Sequence, residues 1–119
     1  MAENVTIANG SLSAEVSPHG AELQSIRLAG NEFLWQGDAA WWPSRSPILF
    51  PIVGSLRDDN ALSAAGKVSL KRHGLARTLD HAIISSAENS VGFELVSTEE
   101  TRELYPYDFR LNVSYTVHA

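Results

Sequence analysis

The stretch that decides both the fold and the candidate site reads Trp41-Trp42-Pro43-Ser44-Arg45-Ser46-Pro47-Ile48-Leu49-Phe50-Pro51-Ile52-Val53-Gly54, here named the proline stretch. Pro47 and Pro51 bracket a short apolar run, which excludes a long helix and a central strand with a complete hydrogen-bond ladder. We expect a stiff, partly extended segment that holds Arg45, Trp42 and Phe50 in fixed places. Aromatic faces beside a fixed cation suit a hydroxyl-rich ring, whose C–H face is apolar and whose edge is polar. The same residues are equally compatible with an ordinary core segment beneath a loop.

Length and composition describe one acidic globular domain. The 119 residues are 44% hydrophobic and 19% charged, with a net charge of −5 and a pI near 5.2. A domain of this size buries roughly two-thirds of its unfolded surface. The acidic balance argues against nucleic acid or an anionic membrane as a partner, because both require a basic face.

The absence of certain residue types and segments from the sequence excludes further classes of protein and of catalytic site. The sequence has no cysteine, so a disulfide framework, a thiolate zinc site and a thiol nucleophile are excluded. The first residues lack a charged segment followed by an apolar run, and no stretch approaches transmembrane length. The sequence therefore predicts a cytoplasmic protein.

Short alternating runs between turn residues predict many strands and almost no helix. The predicted strands are Val5–Ala8, Ser11–Ser17, Ala21–Leu28, Glu32–Trp35, Ala61–Ala64, Lys67–Leu70, Thr78–Ser86, Val91–Ser97 and Phe109–Val117. A capping box that begins at Ser97 predicts one short helix over Thr98–Leu104. This pattern is typical of an all-β protein, and we expect an antiparallel β-sandwich.

The segment Lys71-Arg72-His73-Gly74-Leu75-Ala76-Arg77, here named the basic segment, places a histidine among three cations and directly before a glycine. Neighbouring positive charge favours the neutral imidazole, which can both donate and accept a hydrogen bond. Gly74 allows the backbone to turn so that the ring can point into a cleft. From the His-Gly pair alone, a loop histidine that only caps a strand end is the favoured alternative.

Other catalytic and metal-binding patterns are missing. The sequence has no G-x-S-x-G elbow, no phosphate-binding or dinucleotide glycine pattern and no H-E-x-x-H. The histidines at 19, 73, 81 and 118 show no ligand spacing, so we expect no metal. His19, His81 and His118 are expected to be solvated.

Several motifs in order resemble the aldose 1-epimerase (galactose mutarotase) family, in its LacX-like branch. They are Gly20-Ala21-Glu22-Leu23-Gln24-Ser25, Phe33-Leu34-Trp35-Gln36-Gly37, Ser46-Pro47-Ile48-Leu49-Phe50-Pro51-Ile52-Val53-Gly54, His73-Gly74-Leu75-Ala76-Arg77 and Thr101 through Tyr105-Pro106-Tyr107-Asp108-Phe109. The resemblance implies a β-supersandwich and the interconversion of the α and β anomers of an aldose or hexose phosphate, without a cofactor. An acid protonates the ring oxygen while a base removes the proton of the anomeric hydroxyl.

The resemblance also implies roles for individual residues. His73 matches a family histidine that binds and polarises the sugar. Ser55 stands where the family often has a basic residue, so Arg45 and Arg57 are the candidate cations, and Leu75 replaces the usual phenylalanine. The candidate sugar contacts are His73, Arg45, Arg57, Trp42 and Phe50.

Family members are more than twice as long, and their catalytic acid and base lie beyond the matched region. The resemblance thus implies that residues 1–119 are the N-terminal portion of a single β-sandwich domain, with no catalytic residue assigned. A non-catalytic sugar-binding module and an interaction half-domain remain alternatives. The alternating run Phe109–Val117 would offer an unpaired strand edge, which predicts a homodimer through exposed edges.

Overall fold

The structure, a computed structural model, describes residues 3–118 and consists almost entirely of antiparallel strands. The strands are β1 (Val5–Asn9), β2 (Leu12–Ser17), β3 (Glu22–Leu28), β4 (Asn31–Glu32), β5 (Asn60–Ser63), β6 (Gly66–Ser69), β7 (Ala82–Ala87), β8 (Ser90–Val96) and β9 (Arg110–Thr116). One helix, α1 (Glu99–Leu104), connects β8 to β9. The predicted all-β class is confirmed. Within residues 3–118, every helix is too short or too polar to cross a membrane.

The strands form three antiparallel sheets with local connections. One sheet has the order β1-β2-β3-β4, a hairpin joins β5 and β6, and the third sheet has the order β7-β8-β9. In the first hairpin, Ile7 pairs with Ala14 and Val5 pairs with Val16. This register places apolar side chains on one face, and a slip of one residue would turn that face to water.

The first core lies between the first and third sheets. Val91 and Phe93 of β8 are at most 1% exposed, and Phe93 meets the ring of Tyr115 edge-on at 6.5 Å between centroids. The Tyr115 hydroxyl donates to the Ala21 carbonyl oxygen at 2.7 Å and so ties the two sheets together. Burial, with a contribution from the Glu22 carboxylate, raises the pKa of the Tyr115 phenol. The buried members of the first core are Ile7, Ala14, Val16, Ala21, Val91, Phe93 and Val117.

The second core lies beneath the proline stretch and the basic segment. Its buried members are Val68, Leu70, Leu75, Ala76 and Leu95. Phe50 packs against this cluster and meets the Phe109 ring at 5.1 Å between centroids. The proline stretch and the basic segment, which form the candidate site, therefore pack on a cluster of apolar side chains.

Two predicted strands extend three and four residues beyond the strands that form in the structure. The run predicted as Glu32–Trp35 pairs only at Asn31–Glu32, because the Glu32 carboxylate turns back and accepts the backbone N–H groups of Ile26 and Leu34 at 2.9 and 3.0 Å. The run predicted as Thr78–Ser86 begins only at Ala82, because residues 76–78 form a 3-10 turn.

The prediction that His81 is solvated is wrong. Its side chain is 4% exposed, and Nε2 lies 3.0 Å from the Ala76 carbonyl oxygen. The backbone N–H of His81 donates to the Pro18 carbonyl oxygen at 2.9 Å. This hydrogen bond holds His81 next to Pro18, directly before β7 begins.

The short helix is confirmed, but its cap is shifted by one residue. Thr98 is the N-cap: its hydroxyl accepts the Thr101 N–H at 3.2 Å, and the Thr101 hydroxyl accepts the Thr98 N–H at 2.8 Å. Ser97, the predicted cap, exchanges backbone and side-chain hydrogen bonds with Phe109 instead. Ser97 therefore extends the pairing of β8 with β9 rather than starting the helix.

Candidate functional site

The proline stretch has no regular secondary structure and is fixed to β3 by polar contacts. Glu22 at the start of β3 accepts the backbone N–H groups of Arg45 and Ser46 at 3.2 and 2.9 Å. The Ser46 hydroxyl donates to the Leu23 carbonyl oxygen at 2.7 Å. The Arg45 guanidinium donates to the Gln24 carbonyl oxygen at 3.0 Å. Both side chains thus anchor this wall of the site to the sheet.

The basic segment lies against the proline stretch through backbone hydrogen bonds. The Phe50 carbonyl oxygen accepts the N–H groups of Leu75 and Ala76 at 2.9 and 3.2 Å. Gly74 has φ +77°, and a Cβ there would overlap the Phe50 carbonyl. The predicted turn at Gly74 is confirmed, and the close approach to Phe50 is a second reason for glycine at this position.

His73 makes a reciprocal pair with Gly54. Its backbone N–H donates to the Gly54 carbonyl oxygen at 2.8 Å, and the Gly54 N–H donates to the ring Nδ1 at 2.9 Å. His73 itself has φ +65°, an uncommon conformation for a residue other than glycine. Side chain and backbone are therefore both fixed by one residue of the opposite loop.

A cavity of about 640 Å³ opens between the two loops. Its size is within the range of small-molecule sites. Pro47 and Leu49 give it apolar surface. The side chains that carry an aromatic face, a hydroxyl, a cation or an imidazole are Trp42, Ser44, Ser46, Arg72, His73 and Arg77. This mixture can bind a ring that has an apolar face and a polar edge.

Two arginines make one side of the cavity positive. The Arg77 guanidinium donates to the Arg72 carbonyl oxygen at 3.2 Å. Within the part of the chain that the structure describes, Nε of Arg77 is buried without a hydrogen-bond partner. A buried donor of this kind is costly unless a water or a ligand satisfies it.

The predicted site residues fall into two groups. Trp42 and His73 line the cavity together, whereas among the described residues the lining does not include Arg45, Phe50 or Arg57. Arg45 is turned to β3, the Phe50 ring packs on the second core, and Arg57 is exposed beside β5.

Sequence reasoning did not single out four of the six polar or aromatic lining residues. Ser44 and Ser46 lie in the proline stretch, and Arg72 and Arg77 lie in the basic segment. Both segments were identified as candidates, but their sequence does not show which side chains face the gap between them.

A second concavity lies over the first core. It measures about 210 Å³ and is lined mainly by apolar side chains such as Ile7, Leu23 and Tyr115. Its polar lining residues are Ser13, Tyr115, Thr116 and His118. A hydroxyl-rich ligand would find few partners here, so the cavity at His73 is the better candidate.

The sequence matches a family model, and relatives are known. A model described as aldose 1-epimerase matches residues 3–119. Protein LacX (plasmid form) of Lactococcus lactis subsp. lactis is 35% identical over 121 residues, which cover 97% of this chain and 40% of that protein. A candidate glucose-6-phosphate 1-epimerase of Escherichia coli K12 is 27% identical over 124 residues, which cover 95% of this chain and 39% of that protein.

The fold also matches that of a solved structure. The X-ray structure of a galactose mutarotase related enzyme from Lactobacillus acidophilus superposes with a TM-score of 0.93 at 36% identity. The match covers 98% of this chain and 39% of that one. The chain thus spans about 40% of the length of LacX. The family match over nearly all its residues, together with the shared fold, shows that the chain belongs to the aldose 1-epimerase family.

Proposed function

We propose that this chain supplies the sugar-binding face of an isomerase that interconverts the α and β anomers of an aldose. The observation that carries the proposal is the cavity that brings Trp42 and His73 together. An indole face can stack on the C–H face of a pyranose. The imidazole and the serine hydroxyls can bind its hydroxyl groups.

The chemistry requires an acid at the ring oxygen and a base at the anomeric hydroxyl. Among the described lining residues of the cavity, none is a carboxylate, and His73 is the single imidazole. We therefore place the proton-transferring pair outside residues 1–119, in the region that relatives have and this chain does not match. In this proposal residues 1–119 are the N-terminal portion of one cytoplasmic, cofactor-independent domain.

A phosphorylated aldose is the second candidate for the substrate. Arg72 and Arg77 both line the cavity, and guanidinium groups bind phosphate through charge-assisted hydrogen bonds. The E. coli relative described as a candidate glucose-6-phosphate 1-epimerase supports this choice of sugar.

Binding and substrate class are tested by titrating the chain with glucose, galactose and glucose 6-phosphate while its indole fluorescence is recorded. Trp42→Ala is expected to abolish the response. Trp41→Ala is the matched control, because Trp41 is 81% exposed and is not among the described lining residues. Equal binding by both variants would contradict the site. Glucose 6-phosphate is compared directly with the two unphosphorylated sugars in this titration. Tighter binding of glucose 6-phosphate, together with loss of this difference in Arg77→Gln, would favour the phosphorylated sugar.

The non-catalytic alternative is tested by polarimetry on freshly dissolved α-glucose and α-galactose. We expect the 119-residue chain alone not to exceed the spontaneous rate, because the described lining of the cavity has no carboxylate to act with His73 as an acid and base pair. Activity of the isolated chain would contradict the assignment of that pair to another region.

Self-association through strand edges is also part of the proposal. β7 and β9 are the outer strands of their sheet, and β7 exposes Ile83 and Ile84. An apolar strand with a free edge favours pairing with another copy. Sedimentation that remains monomeric at all concentrations would contradict this part.

A further inference from the structure

We infer that the Gly54 backbone amide fixes the tautomer of His73 and leaves its Nε2–H as the donor at the cavity. Gly54 is thus a positioning residue, and His73 is a hydrogen-bond donor to the ligand rather than the base that removes its proton. The role toward a sugar rests on the proposed function, whereas the tautomer itself can be measured without a ligand.

The geometry of the pair carries the inference. A backbone N–H can only donate, and the Gly54 N–H lies 2.9 Å from Nδ1. Nδ1 must therefore present its lone pair. A neutral imidazole has one protonated and one unprotonated nitrogen, so the proton is on Nε2.

One contact argues for the opposite tautomer. Nε of Arg72 lies 3.4 Å from Nε2 of His73, and an arginine can also only donate. A neutral ring cannot accept at both nitrogens, so the two contacts exclude each other. The Gly54 contact is 0.5 Å shorter (3.4 minus 2.9 Å) and comes from a fixed backbone. The Arg72 side chain is exposed and can move away.

The backbone around the pair is arranged to hold it. His73 at φ +65° and Gly54 at φ +82° are both in the left-handed region. A non-glycine residue in this region is strained, and such residues concentrate at functional sites. This conformation allows the backbone and the ring of His73 to reach the same residue.

The tautomer of His73 decides whether the ring can donate a proton to a ligand or accept one from it. A ring nitrogen that already carries a proton can donate to a ring oxygen, a hydroxyl oxygen or a phosphate oxygen. To accept the anomeric proton at Nε2, His73 would have to move its proton to Nδ1 and break the bond to Gly54. His73 therefore donates to the ligand through Nε2, in keeping with the binding role that the family resemblance implies.

The tautomer is tested by 15N NMR of the histidine rings in the unliganded chain near neutral pH. We expect a pyridine-type Nδ1 and a pyrrole-type Nε2 for His73, and a scalar coupling across the hydrogen bond between Nδ1 and the Gly54 nitrogen. A protonated Nδ1, or the absence of that coupling, would overturn the inference.

A matched pair of variants tests the role of Gly54. Gly54 and Gly30 have φ +82° and +83°, and neither has an atom within 4 Å of an added Cβ. Gly54→Ala keeps the backbone N–H but strains φ +82°, and we expect the resulting shift of this N–H to weaken the coupling, the single tautomer and sugar binding together. Gly30→Ala carries the same backbone strain and is expected to retain all three. Loss of the coupling while His73 stays wholly Nε2-protonated would show that Gly54 does not set the tautomer.

His73→Asn separates the inference from the proposed function. Asparagine tolerates a positive φ, and its side-chain oxygen can accept the Gly54 N–H in place of Nδ1. We expect the Gly54 amide to exchange with solvent at the wild-type rate while the response to glucose, galactose and glucose 6-phosphate is lost. A wild-type chain with the expected tautomer but no response to these sugars would overturn the proposed function alone. Sugar binding with the other tautomer would overturn the positioning role alone.

Discussion

The first core and the cavity are held together by different kinds of interaction. In the first core, Ile7, Val16 and Phe93 are at most 1% exposed, and the burial of apolar surface supplies the stability. At the cavity, the two loops are joined mainly by backbone hydrogen bonds from the basic segment to Phe50 and Gly54. Many similar contacts hold the core, so the loss of one leaves the others in place. Each wall of the cavity, in contrast, depends on single residues. Substitutions in the first core should therefore lower stability most, and substitutions at the cavity should lower binding most.

The largest loss of stability is expected from the first core. Phe93→Ala should lower the free energy of unfolding by about 3–5 kcal/mol, because a fully buried ring leaves a cavity between two sheets. Urea unfolding followed by circular dichroism measures the effect. Leu62→Ala is the control: this residue of β5 is 89% exposed and should change stability by less than about 0.5 kcal/mol. Equal losses in the two variants would show that this sheet does not pack as described.

Gly74→Ala should cause the next largest loss, and it should affect the loops rather than the sheets. The added Cβ would overlap the Phe50 carbonyl, and φ +77° is strained for alanine. We expect a loss of more than about 1 kcal/mol together with loss of sugar binding. Gly10→Ala, at φ +64° with no atom within 4 Å of the added Cβ, separates strain from overlap. A variant as stable as wild type would show that the two loops are not in close contact.

The sequence predicts the core far better than it predicts the cavity. Alternation over β2 and β9 indicates both the strands and their buried faces, since a period of two leaves few alternatives. The proline stretch and the basic segment also indicate where the loops lie. Their side-chain directions depend on distant partners: the Arg45 guanidinium donates to the Gln24 carbonyl oxygen, and no local pattern contains that contact. The burial of His81 has the same origin, because Pro18 is its partner.

The pH dependence of stability should be concentrated at one carboxylate. Hydrogen bonds, first from the Ser25 hydroxyl and then from the backbone of Ile26 and Leu34 and from Arg27, lower the pKa of Glu32 to about 2. A depressed pKa stabilises the folded state above the unfolded value of 4.5, and this contribution is lost as pH falls from there towards 2.

Glu32→Gln should therefore flatten the dependence of the unfolding midpoint on pH between about 4.5 and 2 relative to the wild type. Asp108→Asn is the control, because the bonded Arg102 also lowers the pKa of Asp108, but at an exposed ion pair. Exposed ion pairs contribute little to stability. An unchanged pH profile in Glu32→Gln would mean that the short β4 strand is not held by this carboxylate.

The smallest effect on stability, with the largest effect on binding, is expected from His73→Ala. The variant loses the hydrogen bond from the Gly54 amide, but Gly54 is only half-buried and water can take the place of Nδ1. A replaced hydrogen bond of this kind changes stability by about 1 kcal/mol or less. Sugar binding should fall below detection, because the Nε2–H donor is removed from the cavity. Thermal unfolding and sugar titration of the same sample separate the two effects. If His73→Ala lowered the melting temperature as far as Phe93→Ala and left binding unchanged, His73 would be a structural residue. The contrast between the first core and the cavity would then be wrong.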